Sequence, residues 1–393
     1  MRDQIRGGLQ LAASAAGAVG MIGLDAVKDR TGGALPLRPE QLADPALLSD
    51  LLGTPVRAAR LTGVTFESSN CQNLLVEVDT AAGTTRSLYA KLPAREFSPR
   101  VFANAIGYWG LECTFCERVA PQVPIRVPEV VAVTQRGSRF VLLLEDLTQD
   151  PGVELFTNRA TAAGTTVERA RRVLTTFAEL HAHFHGWDAS RRDALMPLAG
   201  HPYLGRRPRR VSFALNAAAI DRCHHAAPEV FTASLAATYR RALDQWDAVL
   251  AAWFRGPLTL VHGDSHLANC FEYTTADGPR IGMLDFQGAH WSKGIRDVVY
   301  FLANSLDPEL LAAHEDDLID HYLAELAAHG VELDPTETRT DYRAFSIQAL
   351  MVGVIATGLG GFTERADTVG TMLAREAAAV ERLDFAAWLD TLR

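Results

Sequence analysis

Residues 258–269 read Leu-Thr-Leu-Val-His-Gly-Asp-Ser-His-Leu-Ala-Asn. An apolar run, Leu258–Val261, has strand character and delivers the polar cluster His262–Asn269 onto a loop at its end. A second apolar run, Ile281–Phe286, carries Asp285 sixteen positions beyond Asn269. Between them Asp277-Gly278 is a hairpin-turn signal. A hairpin brings its two strand ends together, so Asn269 and Asp285 are expected side by side, with Asp264 on the same loop. Two carboxylates and an amide oxygen converging at strand ends form a hard-oxygen site suited to Mg²⁺. Magnesium held by a few protein oxygens is the usual arrangement for phosphoryl transfer.

The spacing sharpens this expectation. Protein kinases place a catalytic Asp and a metal-binding Asn as H-R-D-x-x-x-x-N, followed by the Asp of D-F-G. Asp264 and Asn269 keep that separation, His262 holds the His position, Gly263 replaces Arg, and Asp285-Phe286-Gln287 replaces D-F-G. Asp264 is then the base for an attacking hydroxyl, and Asn269 and Asp285 are the metal ligands. A lysine on the third strand should reach the nucleotide phosphates. Lys91 ends the run Ser87–Lys91, and the whole chain has only two other lysines, Lys28 and Lys293. Its carboxylate partner should lie on the next helix. Glu112 and Glu117 are candidates, and Glu112 is favoured as nearer mid-helix.

With these residues in view, the chain resembles the aminoglycoside phosphotransferase and choline kinase-like superfamily. His262–Asn269 and Leu284–Gln287 look like its catalytic and metal motifs. Lys91, Glu112, Leu142–Leu147 (LLLEDL) and Leu180–Phe184 (LHAHF) look like the ecdysteroid kinase-like branch. The resemblance implies a bilobal protein-kinase-like fold with ATP between the lobes. It also implies adenine bonded to the backbone around Glu145–Leu147, and a structural role for Asp297 and for His262. One departure stands out. The loop that should cover the phosphates, Gly63–Asn73, has a single glycine, and Ser68, Ser69 and Asn70 are expected to donate hydrogen bonds in its place.

Outward from the site, the pattern is α+β. Val56–Phe66, Asn73–Asp79, Arg86–Lys91, Val130–Gln135 and Phe140–Leu144 read as five antiparallel strands, and residues 100–120 as one helix among them. From Thr165 onward the periodicity is helical apart from the central β insert. Segregation of this kind excludes a doubly wound sheet. The expected organisation is a helical leader (1–53), a nucleotide-binding sheet lobe (54–147) and a larger helical lobe (148–393). Glu315-Asp316-Asp317 reads as the start of an amphipathic helix, where acidic residues suit the helix dipole.

Composition is that of a soluble globular chain, with 48% hydrophobic and 22% charged residues in 393. A net charge of −9 excludes a nonspecific nucleic-acid binder. Five cysteines do not make a secreted disulfide framework. The chain therefore reads as cytoplasmic, and Cys113 and Cys116 as small packed hydrophobes. The apolar stretch Leu9–Leu24 has the outline of a signal peptide, but glycines and Gln10 interrupt it. It is shorter than the ~20 apolar residues a span needs. A helix packed on the body, or a peripheral segment, is expected there, with no membrane span elsewhere.

The expected function is ATP- and Mg²⁺-dependent phosphotransfer to a hydroxyl of a small molecule. A lipophilic acceptor fits the tryptophans Trp187, Trp246, Trp253 and Trp291, and the apolar run Met351–Leu359. An aminoglycoside fits less well beside Arg206, Arg207, Arg209 and Arg210. A nucleotide-binding pseudokinase or regulatory ligand-binding protein is the alternative. A metal hydrolase using His262, Asp264, His266 and Asp285 leaves Lys91 unexplained. His181 and His185, one helical turn apart, read as satisfied helix-surface residues.

Overall fold

The computed structural model describes residues 2–31, 34–67, 71–197, 208–360 and 366–392. The chain opens with helix α1 (Arg2–Lys28), followed by α2 (Pro45–Leu52). Strands β1 (Val56–Glu67), β2 (Cys71–Thr80) and β3 (Thr85–Pro93) come next, then α3 (Phe97–Ile106), α4 (Tyr108–Thr114), β4 (Val130–Arg136) and β5 (Arg139–Glu145). The five strands form one antiparallel sheet in the order β1-β2-β3-β5-β4. The α+β, two-lobed architecture expected above is the one observed.

The larger lobe begins with β6 (Val153–Leu155), α5 (Asn158–Ala163), α6 (Val167–Phe184), α7 (Ala189–Leu195), α8 (Pro208–Ala226), α9 (Ala233–Asp244) and α10 (Trp246–Trp253). Its β insert holds β7 (Thr259–Val261), β8 (Cys270–Thr275), β9 (Gly278–Met283) and β10 (His290–Ser292). Helices α11 (Ile295–Ser305), α12 (Pro308–Ala328), α13 (Pro335–Leu359), α14 (Ala366–Arg382) and α15 (Phe385–Asp390) complete it. Strands β6 and β10 are too short to give a pattern in the sequence. They pair with β8 and β7 respectively.

Two-residue periodicity explains how the sheet presents the site. Leu88, Ala90 and Leu92 of β3 face one side and pack with Leu74, Val76, Val141 and Leu143 in a core sealed by Leu42 and Leu48. Lys91 must therefore point to the other side. That side belongs to the main core, where Phe140 and Leu142 of β5 meet Trp109, Leu111 and Phe115.

Three expectations need correction. Residues 100–120 are not one helix, because Gly107, at φ +80°, ends α3 in a left-handed turn before α4 begins. Glu315–Asp317 lie inside α12, which starts at Pro308, a residue whose fixed φ suits a helix start. The N-terminal helix is longer than its interrupted apolar run suggested. Glycine costs a helix only about 1 kcal/mol per residue, and Gly7–Thr31 is long and apolar enough to cross a membrane, at a mean hydropathy of 1.4. Pro335–Leu359 also meets that test, at 1.3, but 67% of its window is buried inside the protein, as in a core helix. Helix α1 packs against α3 of one lobe and α8 of the other.

Candidate active site

Strand β7 delivers His262 into the buried floor of the site. The Asp297 carboxylate, at the start of α11, accepts the backbone amides of His262 (2.5 Å) and Gly263 (3.1 Å) and the Ser265 hydroxyl (3.2 Å). Arg296 at 2.9 Å and His181 at 3.3 Å flank the same carboxylate. Burial alone would raise the Asp297 pKa, but the His181 bond and the Arg296 charge outweigh it and hold it far below the usual carboxylate range. Asp297 is thus a fixed anion that shapes the loop. His181 is correspondingly not a surface residue: its ring is buried between Asp297 and the Tyr322 hydroxyl.

The loop then turns at Gly263, whose φ is +86°. A Cβ there would lie 1.8 Å from the carbonyl oxygen of Gly288, so only glycine permits this close approach to the turn after Asp285. The His262 ring reaches the Leu284 carbonyl at 2.7 Å and lies 4.4 Å from the Phe286 ring centroid. Burial pushes the His262 pKa down, which suits a neutral, structural imidazole. Phe286 in turn stacks on Phe115 at 3.8 Å, joining the large lobe to the segment after α4.

The β8–β9 hairpin pairs Cys270 with Met283, and the Leu284 amide donates to the Asn269 carbonyl at 2.8 Å. Asn269 and Asp285 are neighbours, as the turn signal implied. The Asn269 amide nitrogen donates to the Asp264 main-chain carbonyl at 2.7 Å, which leaves its side-chain oxygen to act as an acceptor. Asp285 adopts the left-handed region at φ 57°, rare for a residue with a side chain.

Across the cleft, the Lys91 ammonium lies 2.5 Å from Glu112 and 3.4 Å from Asp285. Glu112, rather than the exposed Glu117, is the helix partner. Burial opposes the lysine charge, but Asp285 and Glu112 together raise its pKa well above the ordinary value. Oδ1 of Asp285 is buried and meets the Lys91 ammonium at 3.4 Å without hydrogen-bond geometry. A carboxylate with one loosely held oxygen, close to an amide oxygen, is a donor set that fits Mg²⁺.

Asp264, the expected base, receives the Tyr300 hydroxyl on Oδ1 at 2.8 Å, and its Oδ2 lies 3.9 Å from His266 Nε2. Burial raises its pKa, yet His266 and the Tyr300 bond more than offset this and the net direction is down. At the interlobe connection, Leu147 is buried, Glu145 pairs with Arg126 at 3.3 Å, and Asp146 accepts the Ser87 hydroxyl at 2.5 Å.

Ser68, Ser69 and Asn70 lie outside the described residues, as do Arg206, Arg207 and the side chains of Arg209 and Arg210. Trp246, Trp253 and Trp291 are packed in the core rather than lining a cleft, so they lend no support to a lipophilic acceptor. All five cysteines are buried, and burial raises the Cys113 pKa to about 12. Tyr300 and Arg126 carried no signal in the sequence that set them apart.

Residues 124–334, more than half of the chain, match the model of the ecdysteroid kinase-like family. The chain belongs to that family. The match spans the interlobe connection, the Asp264 loop and Asp285, and starts beyond Lys91 and Glu112. No curated protein matches the chain in sequence. Among solved structures, an ethanolamine kinase of Plasmodium vivax is 12% identical, with 82% of each chain covered and a TM-score of 0.49. A choline kinase of Cryptosporidium parvum Iowa II is 12% identical over 84% of this chain and 91% of its own, at a TM-score of 0.49. A type VIII aminoglycoside-3'-phosphotransferase is 18% identical over 73% of this chain and 92% of its own, at 0.41.

Proposed function

We propose that this ecdysteroid kinase-like chain is a phosphotransferase that moves the γ-phosphoryl group of ATP to a hydroxyl of a small molecule. One observation carries the reading. Lys91, already paired with Glu112, stands 3.4 Å from Asp285 across the lobes. A buried cation held between the Glu112 and Asp285 carboxylates, in a cleft between the lobes, is a place for phosphates and a metal.

In this reading Asp264 accepts the proton of the attacking hydroxyl as its oxygen bonds to the γ-phosphorus. The bond between that phosphorus and the bridging oxygen breaks, and its electron pair leaves with ADP. Lys91 orients the α- and β-phosphates, with Glu112 holding its ammonium in place. Asn269 and Asp285 would hold Mg²⁺, which when bound neutralises charge on the phosphates. The backbone of Glu145–Leu147 would meet the adenine, with the lobes divided just after Leu147. Most of the rate gain then comes from orientation and fixed charge, because the transition state is loose and asks for little covalent help. The buried thiols are compatible with a cytoplasmic location.

The test is MgATP turnover over a panel of small alcohols. Wild-type protein should form ADP and a phosphorylated alcohol, and Asp264→Ala should lower this to a small residual rate while still binding MgATP. Equal turnover by the two proteins would remove Asp264 as the base. Asp285→Ala should lose Mg²⁺-dependent nucleotide binding in calorimetry, and an unchanged isotherm would contradict its metal role.

A further inference from the structure

The Asp264 carboxylate has two oxygens in different surroundings. Oδ1 takes the hydroxyl of Tyr300 at 2.8 Å. Oδ2 faces the His266 ring at 3.9 Å, beyond hydrogen-bond reach. About a quarter of the Asp264 side chain is exposed (25%), whereas Tyr300 is 1% exposed. The phenol is therefore on the buried side of the carboxylate, and the other oxygen remains for an incoming group.

Tyr300 is held so that it has little freedom. It lies on α11 one turn beyond Asp297, the residue that fixes the loop carrying Asp264. Its ring packs with Ala303, Ala349 and Ala379, whose small side chains leave room for it. The Arg296 guanidinium covers the ring, 4.8 Å from its centroid, and is itself anchored on Asp297 and Gln348. An ionised carboxylate only accepts and a phenol donates, so the bond has one polarity. A charge-assisted bond of this kind fixes a rotamer more firmly than a neutral one.

We propose that Tyr300 is a positioning residue: by occupying Oδ1 of Asp264 it fixes the carboxylate rotamer and reserves Oδ2 to receive the acceptor's proton. This rests on the phosphotransfer reading above. The acceptor O–H bond breaks as the O–P bond forms, the proton lands on Oδ2, and the bond to the ADP leaving group breaks. General-base steps of this type depend on geometry before basicity. A misplacement of 1 Å can lower a rate by roughly 10²-fold.

Tyr300→Phe keeps the ring and removes only the donor. The probe is MgATP with the alcohol panel, and MgATP with water as the acceptor where no alcohol is turned over. The variant should lower kcat by about 10- to 100-fold with the KM for MgATP unchanged. In an Asp264→Ala background the same change should lower turnover no further, because the two residues act as a unit. A spectroscopic arm does not depend on turnover. In protein labelled with ¹³C at the tyrosine ζ carbon, the resonance missing from the Tyr300→Phe spectrum should move in Asp264→Asn. Full kcat in Tyr300→Phe, additive losses in the double variant, or a resonance indifferent to Asp264→Asn would each overturn the proposal. A wild-type protein with no turnover beyond that of Asp264→Ala would instead overturn the phosphotransfer reading, and the positioning role with it. Active wild-type protein with an indifferent Tyr300→Phe defeats the positioning role alone.

Discussion

The Asp297 carboxylate sits beneath the His262 backbone amide, 2.5 Å away, at a depth where neither residue meets solvent. One side chain thereby holds the loop that carries the base. Asp297→Asn keeps the shape but removes the charge and turns one acceptor into a donor that faces backbone N–H groups. Leaving such buried donors without an acceptor typically costs 1–3 kcal/mol, and more where a charge is involved. Arg296 and His181 would also lose their anion. We expect a loss of about 3 kcal/mol in urea denaturation, with turnover reduced by more than 100-fold, since the loop is no longer fixed. A variant with wild-type midpoint and turnover would show that the loop holds its own shape.

Gly263→Ala separates local loop geometry from charge. Its φ of +86° is strained for alanine, and the new Cβ would fall 1.8 Å from the Gly288 carbonyl oxygen. Backbone cannot step aside as a flexible side chain can. Strain of this kind costs on the order of 1–3 kcal/mol before any clash is counted. The expected outcome is that the loop and the Asp285–Gly288 turn move apart. Affinity for MgATP should then fall together with kcat. Titration calorimetry with a nucleotide checks this, and unchanged affinity would mean that the two segments adjust independently.

Much of this site could be read from the chain alone because its chemistry is local in sequence. His262, Asp264 and Asn269 share one loop, Asp285 follows one hairpin, and Lys91 stands out among three lysines. Their convergence follows from strand period and a two-residue turn signal. The residues that were not legible reach the site by packing. Tyr300 lies on a helix whose apolar pattern says only that it is buried. His181 resembles a surface histidine until α6 is seen against Asp297. The break at Gly107 was hidden because glycine within a helical pattern signals a stop or a tolerated defect with equal force. The length of α1 was hidden for the same reason.

The N-terminal helix supplies a third expectation. Asp25 is buried and accepts both the amide (2.7 Å) and the hydroxyl (2.6 Å) of Ser138 in the β4–β5 turn. One turn later Asp29 accepts Arg139 at 2.7 and 2.5 Å. Gly137 lies so close that a Cβ there would be 2.5 Å from Asp25 Oδ1. The end of α1 is thus pinned to the sheet lobe while its body packs on α8 of the other lobe. Asp25→Ala leaves two buried donors of Ser138 without acceptors. We expect a loss of about 2 kcal/mol in denaturant stability. A midpoint equal to wild type would mean that this anchor contributes nothing in solution.

Glu376, on α14, makes the stability of the chain depend on pH in a direction opposite to most carboxylates. It is fully buried, with a Cβ on Gly353 placed only 2.4 Å from its Oε2. Burial pushes its pKa well above the usual range; the Asn304 side chain pulls it down in part, and the charge of Asp264 adds to the rise. The folded chain therefore keeps this proton after the unfolded chain, at an ordinary value of 4.5, has released it. Above that pH the unfolded state binds fewer protons than the folded one, so stability from this group falls as pH rises until the folded carboxyl ionises. One proton corresponds to about 1.4 kcal/mol per pH unit. Glu376→Gln cannot ionise and should lose this slope. Urea denaturation of both proteins at pH 5, 6 and 7 should show a stability difference, variant minus wild type, that grows with each step. A difference that stays constant would mean that Glu376 is ionised in the folded protein, with a cation or water reaching it.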